Sequence, residues 1–325
     1  MLQSPDLATA SPADPAPSAD LGRVAVIANR KSGTNARDNA AIERAMKAFG
    51  TERARRYSWT PGKDPDDSMR RLVATAIHEG AQTVVSAGGD GTAMAVAQAV
   101  LDTDTTFAAL PLGTFNYFAR GLGLPEEAGE AAAALMRARR HRIRVGMVNG
   151  KVFLNNASLG IYPAILKQRE SVYARYGRHR IMAHWSVAKT FLRFQRPMHL
   201  TLDADGSVQT RRTPLLFVSR SAFQLERFGL SGAEAISDDS FAVLVGRGDT
   251  RADLFRTALR MVTRTAVEGR DYDFIAARSM TVDMRKSRAL VAYDGEKSLA
   301  RPPFDFRMSD RMLNILIPEP DTEDA

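Results

Sequence analysis

Four short apolar segments alternate with amphipathic stretches in the first half of the chain, and this alternation constrains the fold most. The apolar segments begin near residues 24, 55, 83 and 107. Each interval is long enough for a helical crossover, the connection that parallel strands require. Residues 24–28 contain no polar side chain, as expected for a strand buried on both faces. We therefore predict an α/β domain with a doubly wound parallel sheet over residues 21–145.

After about residue 145 the pattern changes to short β-rich runs separated by turn residues. Helical periodicity is confined there to about 163–194 and 252–267. This pattern predicts a second, mostly antiparallel β-rich domain over residues 146–305. Residues 1–20 are rich in Pro, Ala, Ser and Asp, and residues 319–325 are acidic, so both are expected to be disordered tails.

Composition excludes several classes of protein. The 325-residue chain contains no cysteine, which excludes disulfide scaffolds, cysteine-ligated zinc and a cysteine nucleophile. It has no run of 18 apolar residues, and its first 20 residues contain no Lys or Arg. We therefore expect neither a membrane-spanning helix nor a secretory signal, and a cytoplasmic location.

The formal net charge of +8 is concentrated between the tails. Seven of the 37 acidic side chains lie in residues 1–20 and 318–325, which leaves residues 21–317 with 45 basic and 30 acidic side chains. Such an excess favours an anionic partner, whether nucleotide, nucleic acid or lipid headgroup. Because no recognised nucleic-acid-binding motif is present, we expect no nucleic-acid partner.

Three glycines surround a single carboxylate in the segment Gly88-Gly89-Asp90-Gly91-Thr92, which follows an apolar strand and opens a helix. Glycines let the backbone approach an anion closely, and the N–H groups at a helix start attract it. Mg²⁺ would bridge the Asp90 carboxylate and phosphate oxygens. The alternative is an ordinary tight turn in which Asp90 or Thr92 caps the helix.

Two further glycine-containing turns follow the first and fourth predicted strands, at residues 29–33 and 111–116. In open α/β sheets, ligands bind outside the carboxyl ends of the strands. The three turns together therefore predict a nucleotide-binding crevice. The chain has no G-x-x-x-x-G-K-[ST] motif, and the pair Gly121 and Gly123 lacks the third glycine of a dinucleotide fingerprint.

Five segments together resemble the diacylglycerol kinase catalytic-domain family, specifically the soluble bacterial lipid kinases related to sphingosine and ceramide kinases. They are N-R-K-S-G (29–33), G-G-D-G-T (88–92), P-L-G-T-F-N-Y-F-A-R (111–120), L-N-N-A-S-L-G (154–160) and D-G-E (294–296). The resemblance implies a first domain like those of NAD kinase and phosphofructokinase, a β-sandwich second domain, and a return of residues 306–318 to the first. It also implies ATP-dependent phosphorylation of a diacylglycerol-like lipid hydroxyl.

The resemblance also implies which residues form the site. ATP would contact Asn29, Arg30, Lys31, Ser32, Gly33, Thr60, Gly88, Gly89, Asp90, Gly91, Thr92, Thr114 and Asn116. A structural Mg²⁺ would be held by the Asp239 side chain and by the backbone carbonyls of Ile236 and Phe241. Two residues depart from the family pattern: Arg30 replaces a usual proline, and Tyr117 replaces an aspartate that helps to hold a Mg²⁺–water network. Tyr117 either puts that network and the activity in question or marks a subgroup with another metal arrangement or substrate.

The segment Ala292-Tyr-Asp-Gly-Glu296 has the pattern of a strand that enters a tight turn. Its two carboxylates can divide the work. Asp294 would serve a metal or hydrogen-bond network, and Glu296 would take the proton of the substrate hydroxyl as general base. These two residues and Asp90 are the candidate catalytic groups. The alternative for Asp294 and Glu296 is a solvent-exposed Asp-Gly hairpin turn.

Residues 167–196 carry eight Lys or Arg, one Glu and interleaved aromatic side chains. This pattern favours a basic amphipathic helix at an anionic membrane surface, where the lipid substrate would be met. The alternative is a helix that covers the β-rich domain. We accordingly expect peripheral membrane association, and the oligomeric state is left open, with a homodimer as one option.

Two other functions stay open at this point. An NAD kinase-like small-molecule kinase shares the G-G-D-G-T motif, and it would act on a soluble substrate without lipid. A catalytically degenerate lipid- or nucleotide-binding protein is suggested by Tyr117, and it would bind without turnover.

Overall fold

The computed structural model describes residues 20–29, 35–161 and 197–319. The chain forms two compact units, and the division between them lies between Val145 and Gly146. The first unit takes the chain back at Ser309. Both predicted tails lie outside the described residues apart from Asp20 and Glu319, and the basic segment 167–196 lies wholly outside them.

The first unit alternates strands and helices up to its fourth strand, as the sequence predicts, and two helices then follow in succession. Its elements before residue 145 are β1 (Val24–Asn29), α1 (Asn35–Phe49), β2 (Ala54–Trp59), α2 (Pro65–His78), β3 (Thr83–Gly88), α3 (Asp90–Val100), β4 (Thr106–Pro111), α4 (Tyr117–Gly121), α5 (Ala128–Met136) and β5 (Arg139–Ile143). β3 and β4 are buried along their whole length, which fits their apolar sequences. The helix expected to reach Arg139 ends at Met136, because Arg139 begins β5.

The second unit consists of two antiparallel sheets. Its elements are β6 (Gly146–Val148), β7 (Lys151–Phe153), β8 (Asn156–Gly160), β9 (Met198–Ala204), β10 (Ser207–Thr213), β11 (Leu215–Ser219), α6 (Ala222–Arg227), α7 (Ala233–Ser237), β12 (Phe241–Gly246), α8 (Arg251–Val262), β13 (Tyr272–Ala277), β14 (Ser279–Met284), β15 (Ala289–Tyr293), β16 (Glu296–Ala300) and β17 (Phe304–Met308). The strand orders are β10-β9-β14-β17-β6-β7 and β13-β12-β11-β8-β15-β16. Phe153 and Phe241 stack with ring centroids 5.7 Å apart and so join the two sheets.

The final strand, β18 (Leu313–Ile317), completes the sheet of the first unit, whose order is β2-β1-β3-β4-β18-β5. All neighbouring pairs in it are parallel except β18 with β5. The predicted fold class, a parallel α/β domain followed by an antiparallel β-rich one, is confirmed. The expected return at residue 306 was three residues too early, because β17 pairs with β14 and β6 inside the second unit.

Two helices of the second unit were not predicted. α6 and α7 have six and five residues, too short to show helical periodicity in the sequence. The expected helix near 252–267 is present as α8, whereas the other, near 163–194, lies outside the described residues. No helix in the part of the chain that the structure describes is long and apolar enough to cross a membrane.

A buried carboxylate fixes the segment that leads from α8 to β13. Asp271, with a side chain only 3% exposed, binds the Arg260 guanidinium at 2.5 Å and the Arg270 guanidinium at 3.1 Å. It also accepts the backbone N–H of Val267 at 2.9 Å. Burial alone would raise the pKa of Asp271, but these three partners outweigh it and lower the pKa from its usual value.

We expect Asp271→Asn to destabilise the protein by about 1–3 kcal/mol at pH 7, because a buried network loses its charged acceptor. A carboxyl with a lowered folded-state pKa stabilises the fold above its unfolded pKa of about 4, and this contribution is lost as the pH falls through the folded value. The difference in the free energy of unfolding between variant and wild type should therefore shrink below about pH 4. Denaturant unfolding at pH 7 and below about pH 4 would measure it.

Asp273→Asn is the matched control. Asp273 lies two residues after Asp271 and forms an ion pair with the half-exposed Arg247. Exposed ion pairs contribute about 0–1 kcal/mol, so this variant should unfold nearly as the wild type does. Equal effects of the two substitutions at pH 7 would contradict the role given to Asp271.

Candidate functional site

The three predicted turns follow β1, β3 and β4, which are neighbours in the sheet and run in the same direction. The turns therefore meet at one edge of the sheet. The connection from β1 leads outward to β2, whereas β3 and β4 lie on the other side of β1. Such a reversal of strand order opens a crevice between the strands that flank it, here β1 and β3.

The turn after β3 leads directly into α3. Gly89 is the N-cap residue, with extended backbone and no side chain to cap the helix. The alternative in which Asp90 or Thr92 caps α3 is therefore wrong, since both lie inside the helix. Because no side chain caps this 11-residue helix, its dipole and the backbone of its first turn can face an anion, although the Thr92 N–H already donates to the Gly89 carbonyl at 2.9 Å.

The turns after β3 and β4 touch through their backbones. A Cβ atom on Gly113 would lie 2.3 Å from the Cα of Gly89, and one on Gly89 would lie 3.1 Å from the Cα of Gly113. The N–H of Leu112 also donates to the carbonyl of Gly88 at 3.1 Å. The approach therefore requires glycine at position 113 and leaves little space for a side chain at position 89.

The turn after β1 joins the same cluster through one side chain. Asn29 Nδ2 donates to Thr92 Oγ1 at 3.1 Å and links the end of β1 to the first turn of α3. Arg30, Lys31, Ser32 and Gly33 lie outside the described residues, so their predicted contacts stay predictions. Thr60 is exposed just beyond β2, the neighbour of β1 at this edge.

Asn116 shapes the turn after β4 from within. It has positive φ, at 51°, and its side chain accepts the N–H of Gly113 at 2.7 Å while donating to the Gly113 carbonyl at 3.1 Å. Both polar atoms of this amide are thus engaged in the turn, so Asn116 positions Gly113. Thr114, which lies between Gly113 and Asn116, is exposed and available to a ligand.

Asp90 connects α3 with α4. One carboxylate oxygen accepts the backbone N–H of Phe118 at 3.0 Å, and the residue is half-buried. A carboxylate offers about four lone-pair positions, so Asp90 can accept more than one partner. The part of the chain that the structure describes contains no cluster of three metal-ligating side chains, so a Mg²⁺ here would need oxygen ligands from a phosphate as well.

Tyr117, where the resemblance implies an aspartate, stacks on Phe115. The two rings are 5.5 Å apart and nearly parallel, at 4°. Phe115 is 48% exposed, so the pair forms an aromatic surface on the turn after β4. An aromatic ring therefore replaces the expected acidic side chain.

In the second unit, Asp294 is turned inward. Its side chain accepts the backbone N–H groups of Leu154, Asn155 and Asn156, the last two at 2.9 and 3.1 Å. The residue is 6% exposed and has a φ of 45°. Its carboxylate thus fixes the segment between β7 and β8 against the end of β15. Of the two roles expected for Asp294, a metal site or a hydrogen-bond network, the structure shows the network.

Glu296 behaves differently from Asp294. It is exposed at the start of β16, where it pairs with Tyr293 across the hairpin. The two carboxylates of D-G-E therefore lie in different surroundings, one buried against the backbone and one exposed. An exposed carboxylate that begins a strand can take a proton from a bound hydroxyl.

The residues predicted to bind a structural Mg²⁺ lie around a guanidinium. Arg220 Nη2 contacts Asp239 Oδ1 at 2.7 Å, and Arg220 Nη1 donates to the Ile236 carbonyl at 2.9 Å. Two of the three predicted ligands are thus taken by an internal cation, and the site does not fit a metal in this form. Sequence reasoning missed Arg220, which belongs to no motif and lies 16 residues from Ile236.

Comparison with known proteins supports the resemblance. The family model of the diacylglycerol kinase catalytic domain matches residues 23–148. A protein of Pseudomonas aeruginosa (strain UCBPP-PA14), named "Probable lipid kinase YegS-like", is 39% identical over 143 residues, which are 43% of this chain and 45% of that protein. One of the same name from Pseudomonas savastanoi pv. phaseolicola is 38% identical over 126 residues, 38% of each chain. The matches thus span less than half the length of these relatives.

Solved structures show the same fold over nearly the whole chain. A crystal structure described as a diacylglycerol kinase from Bacillus anthracis (strain Sterne) has a TM-score of 0.62 and 16% identity, and it covers 93% of this chain and 98% of its own. A second from that organism has a TM-score of 0.68 and 18% identity, over 93% and 99%.

These findings confirm the resemblance that the five motifs indicate. The residues that cluster at the sheet edge, from Asn29 to Asn116, lie within the matched region. Over residues 23–148 this chain is therefore similar to the catalytic domain of the diacylglycerol kinases.

Proposed function

We propose that this protein is an ATP-dependent lipid kinase that transfers the γ-phosphoryl group of magnesium–ATP to the hydroxyl of a diacylglycerol-like lipid. The observation that carries the proposal is the start of α3, which no side chain caps and which lies where the strand order of the first unit reverses. Phosphoryl transfer depends mainly on positioning and charge neutralisation, and this edge of the sheet offers both.

The first unit would bind the triphosphate. The N–H groups at the start of α3 and the backbone of the Gly88–Thr92 turn would receive phosphate oxygens, with Asn29 and Thr114 beside them. Residues 30–33 and Thr60 would complete the nucleotide site. Asp90 would bind the Mg²⁺ that accompanies ATP, because magnesium is usually held by one or two carboxylates together with substrate phosphates.

The second unit would supply the general base. In the proposed reaction, Glu296 takes the proton of the lipid hydroxyl while the hydroxyl oxygen bonds to the γ-phosphorus and the bond to the ADP oxygen breaks. Asp294 would act as a positioning residue, since it fixes the backbone two residues before Glu296.

Three kinds of support favour a lipid acceptor. The relatives are named lipid kinases, the structures of the same fold are described as diacylglycerol kinases, and the body of the chain carries an excess of basic side chains. A basic surface would hold the enzyme on anionic membranes, with residues 167–196 as the proposed contact. The chain would then meet its substrate by peripheral association with the membrane.

Incubation of the purified chain with γ-labelled ATP, Mg²⁺ and a panel of lipids in mixed micelles tests the proposal. We expect labelled lipid to form with ATP and Mg²⁺ and not when either is withheld. Label transferred only to a soluble substrate such as NAD would indicate the small-molecule kinase instead. Nucleotide or lipid binding without any transfer would indicate the degenerate binding protein that Tyr117 suggests.

Gly113→Ala should weaken ATP binding, because the new methyl group would lie 2.3 Å from the Cα of Gly89 and force the two turns apart. Overpacking of this kind costs about 1–3 kcal/mol, so we expect the Kd for ATP to rise about tenfold or more. Isothermal titration calorimetry would measure it. Gly62→Ala is the control, because no atom lies within 4 Å of the Cβ it would add. Unchanged ATP affinity in Gly113→Ala would refute the role of this contact.

Glu296→Gln and Asp294→Asn should fail in different ways. Glu296→Gln removes the proposed proton acceptor at an exposed position, so kcat should fall about 10²–10⁴-fold with little change in the unfolding midpoint. Asp294→Asn places an amide N–H₂ against backbone donors, which should destabilise the fold by about 1–3 kcal/mol. Turnover and thermal unfolding of both variants measure the two effects. Near-normal turnover in Glu296→Gln would remove its assignment as base.

A further inference from the structure

The guanidinium of Arg220 lies at the centre of the loop that connects α7 with β12. Its side chain is only 7% exposed. It reaches the loop through two hydrogen bonds, from Nη1 to the Ile236 carbonyl at 2.9 Å and from Nη2 to Asp239 Oδ1 at 2.7 Å. One buried positive group therefore binds both a carbonyl and a carboxylate of the same short loop.

The backbone holds both partners in place. Arg220 directly follows β11, and its N–H donates to the Asn155 carbonyl at 2.7 Å. On the other side, Asp239 has a φ of 56° and donates its N–H to the Ile236 carbonyl at 3.2 Å. Ile236 itself packs in the apolar cluster around Ala222, Leu244 and Tyr272. The arrangement is thus fixed from both ends before any ligand is considered.

The loop presents the kind of oxygen donors that bind a hard cation. A carboxylate and backbone carbonyls are the usual ligands of Mg²⁺ and Ca²⁺. Here the guanidinium already satisfies them, and its planar fork reaches two acceptors at once. A divalent ion at the same oxygens would meet a like charge held within hydrogen-bond distance of its own ligands.

The charges of Arg220 and Asp239 also disfavour a metal ion at this loop. Burial lowers the pKa of the Arg220 guanidinium, and the negative charge of Asp239 opposes that shift. The arginine stays charged in either case, because guanidinium is not deprotonated in proteins. Arg220 therefore needs Asp239 as its counter-ion, and Asp239 cannot turn to a metal without leaving a buried charge unpaired.

We infer that Arg220 is a built-in cation that takes the place of a divalent metal in the loop 236–241, so that this loop holds its shape without metal. The inference concerns the second unit alone and does not depend on kinase activity. It also has a converse: removal of the guanidinium leaves a carboxylate and a carbonyl around a space of suitable chemistry, and a divalent ion should then bind there.

Thermal unfolding of the nucleotide-free protein tests the inference without any use of ATP or lipid. The midpoint of the wild type should be the same in EDTA and in millimolar Mg²⁺ or Ca²⁺. Arg220→Ala should unfold at a lower temperature, and added Mg²⁺ or Ca²⁺ should raise its midpoint, because a ligand that binds only the folded state stabilises it. The double variant Arg220→Ala with Asp239→Asn should lose that metal response.

Two results would overturn the inference. One is a wild-type midpoint that rises with metal and no longer does so in Asp239→Asn. The other is a folded Arg220→Ala variant whose midpoint ignores metal. If Arg220→Ala does not fold in EDTA, it is purified in Mg²⁺ or Ca²⁺ instead. Recovery of folded protein then supports the inference. A metal response of the wild type that depends on Asp239 still overturns it. Arg220→Lys, which keeps the positive charge, should ignore metal as the wild type does.

Discussion

Gly89 and Gly113 bring two backbone turns into direct contact, and the arrangement of the first unit's site depends on that contact. Gly113 has no room for a Cβ atom, which would lie 2.3 Å from the Cα of Gly89, and a Cβ on Gly89 would make a tight contact at 3.1 Å. Asn116 holds one side of the contact and the start of α3 forms the other. Through Asn29 and Thr92 the end of β1 joins the same cluster. A phosphate-binding edge can form here because the strands deliver three turns to one place and glycine lets them meet.

The second unit uses buried charges to fix its loops. Asp294 gathers three backbone N–H groups, and Arg220 bridges a carbonyl and a carboxylate. Each is a buried charge with polar or oppositely charged partners, the condition for keeping it buried, although Arg220 Nε has no hydrogen-bond partner among the residues that the structure describes. The one carboxylate of the D-G-E segment that remains exposed is Glu296, so the proposed general base stands on a backbone that its neighbour Asp294 holds in place.

Much of the first unit could be predicted because its evidence is local. The apolar sequences of β1, β3 and β4 indicate buried strands, and Gly88–Thr92 carries its own turn and helix start within five residues. The roles in the second unit could not be predicted in this way. Asp294 and its partners belong to two of the five segments, but they lie 138–140 residues apart, and neither segment indicates that they meet. Arg220 meets Asp239 across 19 residues and belongs to no motif. Only the folded backbone brings such groups together. From the sequence alone, either carboxylate of D-G-E could therefore have a catalytic or a positioning role.

Backbone amide chemical shifts, recorded by NMR during titration with magnesium and a non-hydrolysable ATP analogue, test the central claim most directly. We expect saturable shifts to be largest at Gly89 and Gly91, with Thr114 next, because the phosphates would lie against these N–H groups. Thr92 and Gly113 should shift less, because their N–H groups already donate to Gly89 and Asn116. Saturable binding whose shifts leave residues 88–92 and 113–114 unmoved would place the nucleotide elsewhere and contradict the account.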